Sequence, residues 1–360
     1  MNHTYNKMQL QKNIILNKKY TIIQTINESN IGFVYKACDK NNTMVAIKEF
    51  FPVDIVKRSP NLRDVYSEGS NNQLFYKWRN QFYKEIEFLK ILKKFNYIVK
   101  IIDSFDGNNT SYIVMEFLPG DNLFNVIKRY CSNKQRFHRS NTIITEWVNC
   151  LLIFLHNLHS NKPQILHCDL CPQNIVVQKS ELLDFKIIDF GLARFFGEQI
   201  PYTMAYTPGF SSPEQFFSDI LYPQSDYYSL GATLYYAISG KIPSSSEERY
   251  HSSKDPLVPI EKIVPDIYDQ LARLINTCLS MDHNQRPDSI ETIRRILQGK
   301  TQKMNMVTHV PITQENDTKH ILSQDHLCAD KNLCPNCFEK TQGSICGKCY
   351  FDREKKYKTG

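Results

Sequence analysis

No apolar run in this chain approaches the roughly 18 residues that a membrane-crossing helix needs, so no spanning helix is expected. The opening stretch MNHTYNKMQLQKN lacks the apolar segment of a secretory leader, which makes the cytoplasm the expected location. Strong charge imbalance is missing too. A formal net charge of +7 is mild and does not by itself point to nucleic acid. No self-similarity recurs at solenoid or propeller spacing. What remains is a chain of 360 residues, 41% hydrophobic and 22% charged, long enough for one large domain or two lobes plus a small appendage.

Alternation of β-branched and aromatic residues from Tyr20 predicts three antiparallel strands, at about 20–27, 32–39 and 43–50, with Asn41-Asn42 supplying a turn and Pro52 ending the third. The polar stretch 53–74 reads as an inserted loop with a short helix. FYKEIEFLKILKKF places Phe82, Ile86, Leu89 and Leu92 on one helical face. YIVKIIDSF and SYIVMEFL are strand-like. After Gly120 the pattern turns helical, over 147–159, 225–239, 267–280 and SIETIRRIL. A strand-rich first third and a helical remainder predict two lobes with a cleft at the crossover. From 298 to about 327 apolar periodicity fades into a linker.

Several chemistry-bearing segments occur in one order: VAIK with Lys48, Glu85 on the following helix, HCDLCPQN with Asp169 and Asn174, IIDFG with Asp189, then TPGFSSPEQ, SDYYSLG and NQRP. Taken singly, Lys48 and Glu85 read as a surface pair and Asp189 as a turn aspartate. Together, over about residues 18–297, they resemble the protein kinases, specifically the bacterial eukaryotic-like (Hanks-type) Ser/Thr kinases, which share a stretch like Val45–Pro52. The resemblance implies an α+β bilobal kinase fold: a β-rich N-lobe at about 18–115 and a helical C-lobe at about 119–297, after an N-terminal extension 1–17.

The chemistry accounts for those residue types. Transfer of a γ-phosphoryl group spreads negative charge over oxygens, so catalysis rests on positioning and cations. By resemblance, Lys48 grips the α- and β-phosphates of ATP and is oriented by Glu85. Asn174 and Asp189 are hard oxygen ligands for Mg²⁺ or Mn²⁺. Asp169 takes or orients the substrate hydroxyl proton. Gly32 and Val34 belong to the phosphate-covering loop, and Ala46 and Met115 line the base pocket, Met115 at its back. The backbones of Glu116 and Leu118 meet adenine, and Asp121 or Asn122 the ribose. Thr207 supports Asp169, Glu214 pairs with Arg286, and Asp226 braces the catalytic loop. The docking segment implies a protein substrate with a Ser or Thr acceptor, with autophosphorylation included.

This chain departs from the family pattern at four places. Asn27 and Ser29 stand where the phosphate loop has its first two glycines. Cys168 replaces the arginine that usually gathers an activation-segment phosphate, and Cys171 replaces the lysine that bridges the transferring phosphate and the catalytic Asp. With Lys48, Glu85, Asp169, Asn174 and Asp189 all retained, the expectation is a slow catalyst. The alternative is a nucleotide-binding pseudokinase scaffold. Cys168 and Cys171 also form a CxxC, read either as a redox switch or as two compact apolar fillers.

Five of the eleven cysteines fall in the tail. CPNCFEKTQGSICGKC holds two CxxC knuckles, Cys334/Cys337 and Cys346/Cys349, eight residues apart, an S₄ set suited to Zn²⁺. The stretch 328–352 therefore resembles a short zinc ribbon, whose expected partner is a protein or, through REKKYK, nucleic acid.

Overall fold

In this computed structural model the described residues are 8–67, 69, 71–133, 141–178, 181–198, 206–218 and 220–299. The five tail cysteines, and all but the first two residues of the linker expected before them, lie outside these. The first half is organised by a six-stranded antiparallel sheet of β1 (Ile15–Leu16), β2 (Tyr20–Ser29), β3 (Gly32–Cys38), β4 (Met44–Phe50), β7 (Ile101–Gly107) and β8 (Thr110–Glu116). These lie side by side in the order β1-β2-β3-β4-β8-β7. The β3–β4 turn is the one expected: Asn42 takes a left-handed φ of 61° and Asp39 Oδ1 accepts from the amides of Asn41 and Thr43. Asn108 and Asn109, at φ 50° and 57°, close β7 to β8 as the tight hairpin that two left-handed residues favour.

Strand alternation sorts side chains between the two faces. In β4, Val45 and Ile47 are buried and Ala46 and Lys48 turn the other way. Register adds Val34 opposite Lys48, and Met115 opposite Ala46. Val34, Ala46, Lys48 and Met115 thus share one face of the sheet. Gly32 is needed for packing: a Cβ there would lie 2.0 Å from the Glu49 carbonyl oxygen.

The insert departs from the irregular loop expected at 53–74. It forms a hairpin, β5 (Val56–Arg58) with β6 (Val65–Ser67), and helix α1 starts at Asn71 and runs to Leu92. The physical reason is a buried charge. Glu49 is fully buried and accepts from Tyr35 Oη at 2.7 Å, Tyr112 Oη at 2.9 Å, and Arg58 Nη2 and Nη1 at 2.7 and 3.1 Å. Arg58 Nε also donates to the Met8 carbonyl at 2.6 Å, so the same cation ties down the incoming chain. An ionised carboxylate in an apolar interior demands such partners.

The helical part follows β9 (Asp121–Asn122). Helix α2 (Leu123–Ser132) is capped by the Asn122 side chain on the Asn125 amide at 2.8 Å. Helix α3 (Asn141–His159) leads to β10 (Ile165–Leu166), β11 (Ile175–Val177), β12 (Phe185–Ile187) and β13 (Arg194–Phe195). β10 pairs with β13, and β11 lies between β12 and β9. Then come α4 (Glu214–Phe217), α5 (Pro223–Ser239), α6 (Ser246–His251), α7 (Ile260–Ile263), α8 (Asp269–Cys278) and α9 (Ile290–Leu297). Helix α5 is buried almost all round, from Ser225 to Ala237, as expected of a helix at the centre of a domain. Among the described residues no helix is long and apolar enough to cross a membrane.

Candidate active site

The Lys48 ammonium lies 2.7 and 2.9 Å from the two Glu85 carboxylate oxygens and 3.0 Å from Asp189 Oδ1. Three residues on a strand, a helix and a loop, up to 141 positions apart, meet at one nitrogen. Burial works to lower the Lys48 pKa, but Asp189 and Glu85 outweigh it and raise it. Burial pushes the Glu85 carboxyl up to about 7, with Lys48 pulling the other way. Asp189 is half-buried, which works to raise its carboxyl, yet Lys48 and the Gly191 amide, which donates to Oδ1 at 2.8 Å, hold it below the usual range. Helix α1 is pinned to the same loop by Gln81, whose side-chain amide donates to the Gly191 carbonyl at 3.0 Å. The sequence reading missed Gln81. Its signal was spacing: it precedes Glu85 by four residues and so shares its helical face.

The loop between β10 and β11 carries the second group. Asp169 Oδ1 accepts from Thr207 Oγ1 at 2.7 Å, and Oδ2 from Asn174 Nδ2 at 2.7 Å. The same Asn174 amide nitrogen donates to the Asp169 carbonyl at 3.0 Å. With its nitrogen so committed, Asn174 keeps an amide oxygen, the atom a divalent cation takes. The strand ladder draws Asn174 towards Asp189, because the Ile188 amide donates to the Asn174 carbonyl at 3.0 Å. Burial pushes the Asp169 carboxyl up to about 7, opposed by the Thr207 hydroxyl.

Cys168 takes a left-handed φ of 65°, an unfavourable conformation for a residue with a Cβ. It is held from both sides. Its amide donates to Asp226 Oδ1 at 2.8 Å, and its carbonyl accepts from Gln215 Nε2 at 2.8 Å. Asp226, fully buried on α5, also accepts from the His167 amide at 2.9 Å and meets His159 Nε2 at 2.8 Å. The expected brace is therefore present, with His159 and Gln215 as members that the sequence did not reveal. Cys168 and Cys171 are 1% and 2% exposed, and burial pushes both thiols up. A switch cysteine needs exposure and an easily formed thiolate; these two have neither, and the compact-filler reading fits them better.

The remaining expected residues fall as follows. Asn27 and Ser29 lie in β2, opposite Val34 and Gly32, and Asn27 is not left-handed. Ser29 Oγ instead closes the turn by donating to the Gly32 carbonyl at 3.2 Å. The Glu116 amide donates to the Lys100 carbonyl at 2.9 Å, so only its carbonyl is left for a base. Leu118 is half-buried at the crossover. Asp121 is engaged by Arg129 and by the Asn122 and Asn125 nitrogens, and Asn122 Oδ1 by the Asn125 amide.

Glu214 and Arg286 form the expected pair, at 2.6 and 3.0 Å, and Arg286 further donates to the Ser280, Gln224 and Met281 carbonyls. Burial opposes ionisation of Glu214 and of Asp226, yet Arg286 and His159 respectively outweigh it and hold both carboxyls below their usual range. A depressed carboxyl contributes stability above its unfolded value of about 4 and loses it as pH falls through the folded value. The contribution of Glu214 to the melting temperature is therefore expected to be full from pH 7 to 5 and lost below pH 4, so that the difference between wild type and Glu214→Gln narrows over that acid range.

A family profile described as "Protein kinase domain" matches residues 20–300. The chain is 27% identical over 314 residues to the probable serine/threonine-protein kinase CPE1738 of Clostridium perfringens, a match covering 84% of this chain and 40% of that one. It is 25% identical over 335 residues to serine/threonine-protein kinase A of Synechocystis, covering 86% and 58%. The chain thus spans well under two thirds of these relatives' lengths. Among solved structures, the PpkA-294 apo form superposes with a TM-score of 0.63 at 24% identity, over 81% of this chain and 99% of that one. A point-mutant form of the Mycobacterium tuberculosis PknI kinase domain does so with a TM-score of 0.57 at 16% identity, over 81% and 99%. This chain belongs to the protein kinase family, with a β-rich N-lobe and a helical C-lobe.

Proposed function

We propose that this chain is an ATP-dependent protein kinase that transfers the γ-phosphoryl group to Ser or Thr of protein substrates, its own included. The observation that carries this reading is the Lys48 ammonium within 3.0 Å of both Glu85 and Asp189, a preformed cationic grip across the cleft. Lys48 would hold the α- and β-phosphates, with Val34, Ala46 and Met115 against the base and the Glu116 carbonyl and Leu118 amide at its edge. Asn174 and Asp189 offer the hard oxygens that suit Mg²⁺, which when bound neutralises phosphate charge. Asp169 would accept or orient the acceptor hydroxyl. Retention of all five groups in bonding geometry favours turnover over a scaffold.

Purified chain with γ-labelled ATP and Mg²⁺ is expected to label itself or a generic Ser/Thr substrate. Asp189→Ala should lower that labelling by at least about 10²-fold, the scale of losing one preorganised charge partner. Nucleotide-induced thermal stabilisation without any label transfer would instead select the pseudokinase.

For the tail, the spacing of Cys334, Cys337, Cys346 and Cys349 supports a Zn²⁺ ribbon. A segment this small gains its folding energy from the metal. Elemental analysis of the full chain should give about one zinc per chain, lost on Cys334→Ser/Cys337→Ser. Absence of zinc from the full chain purified without chelators defeats the ribbon. Its job would be docking a protein partner.

A further inference from the structure

We infer that Gln81 and the Lys84–Glu198 ion pair are positioning groups: they clasp helix α1 to the segment that follows Asp189 and so hold Glu85 against Lys48. The inference rests on the kinase reading of the site and adds to it the means by which the Lys48 grip is kept closed. Three features of the structure support it.

The first is spacing. Gln81, Lys84, Glu85 and Phe88 stand at i, i+3, i+4 and i+7 on α1, one stripe of the helix, and that stripe faces a single short segment. Gln81 Nε2 donates to the Gly191 carbonyl at 3.0 Å and reaches the Ala193 carbonyl at 3.4 Å. Lys84 Nζ donates to Glu198 Oε2 at 3.0 Å. The Phe88 ring packs edge-on to Phe195, with centroids 5.0 Å apart. Glu85 meets Asp189 through the Lys48 ammonium.

The second is that the segment is built to meet the helix. β13 pairs with β10, and the Phe196 amide donates to the Gln164 carbonyl at 2.9 Å. Gly197, at a left-handed φ of 87°, then turns the chain, with the Glu198 amide donating to the Phe195 carbonyl at 3.1 Å. At Gly191 a Cβ would lie 3.6 Å from Glu85 Oε2 and 3.8 Å from Lys48 Nζ, so the carbonyl that Gln81 holds belongs to a residue packed on the grip itself. The third is that the clasp is complete in the unmodified chain. Its ion pair is 43% and 33% exposed and alone adds little; the neutral amide bonds and the ring contact carry most of the tie. Such a tie needs no phosphate on the segment.

Amide hydrogen exchange of the full chain without nucleotide reads the clasp directly. The amides of Gly191, Ala193 and Phe196 are all bonded. They should exchange about fivefold faster in Gln81→Met, the worth of one neutral hydrogen bond. In Lys84→Glu or Glu198→Lys the rise should be about threefold, and the swap Lys84→Glu/Glu198→Lys should return within about twofold of wild type. Exchange along α5 should not change, which separates release of the segment from general loosening. Rates unchanged in every variant, or raised equally along α5, overturn the clasp. In label transfer, Gln81→Met/Lys84→Glu should lose at least about threefold in kcat/KM for ATP, as the competent population falls. Full activity despite faster exchange overturns the positioning role. Phosphatase-treated wild type should keep its exchange rates and its labelling; a change of about tenfold in either overturns the proposal by giving the tie to a phosphate. A wild type inert with ATP whose segment still responds overturns only the kinase reading and leaves the clasp standing.

Discussion

Asp169→Asn is expected to lower phosphoryl transfer by about 10²–10⁴-fold, the usual worth of a positioned acid–base group, while leaving nucleotide binding intact. The reason lies in the donors around it. Thr207 and Asn174 present hydrogens to the two oxygens of this carboxylate. An amide in its place offers one acceptor oxygen and one NH₂ group, so only one of the two donors keeps its acceptor. The proton acceptor is lost and its orientation with it. Lys48, Glu85 and Asp189 do not bond Asp169, so ATP-induced thermal stabilisation should remain within about 2 °C of wild type. The measurement is steady-state label transfer alongside a melt with and without ATP. Retention of more than a tenth of wild-type kcat would remove Asp169 from the chemistry.

Arg58→Ala is expected to destabilise the fold by about 3–5 kcal/mol, the scale of stranding one member of a buried ion pair, although among the described residues Arg58 bonds only Glu49 and the Met8 and Arg63 carbonyls. Glu49 would keep its two tyrosine hydroxyls and lose the cation that neutralises it, and the Met8 and Arg63 carbonyls would lose their donor. For a domain of this size that is a fall of roughly 10 °C in melting temperature. Arg58→Ala combined with Glu49→Gln should recover part of the loss, because the uncompensated charge goes with it. A melting temperature unchanged in Arg58→Ala would mean that the pair holds no buried charge in the folded chain.

These two predictions differ in what made them foreseeable. Asp169 was legible because the catalytic loop is a local motif: a short run whose backbone conformation brings Asp169 and Asn174 together whatever surrounds it. Arg58 was not. The stretch around it reads as polar and irregular, and its partner Glu49 sits in a run whose alternation assigns it to no particular charge. Only the closed sheet, with Tyr35 and Tyr112 on neighbouring strands, makes Glu49 fully buried and so obliges the insert to deliver a cation. The phosphate loop shows the converse error. Asn27 and Ser29 occupy the positions of flexible glycines, but strand pairing keeps them extended, and Gly32 is required by a backbone 2.0 Å from where its Cβ would stand.

The chain's own order of residues determined the class of fold, the lobe arrangement and the identity of the acidic, amide and ammonium groups, because those depend on alternation, helical spacing and short-range turns. Tertiary structure decided which of those groups share a proton or a charge. Lys48 finds Glu85 and Asp189 across 37 and 141 positions, Asp169 finds Thr207 across 38, and Glu49 finds Arg58 only in the interior beneath the sheet. Electrostatic energy depends on distance and on exclusion of water, and a linear sequence specifies neither until the chain has packed.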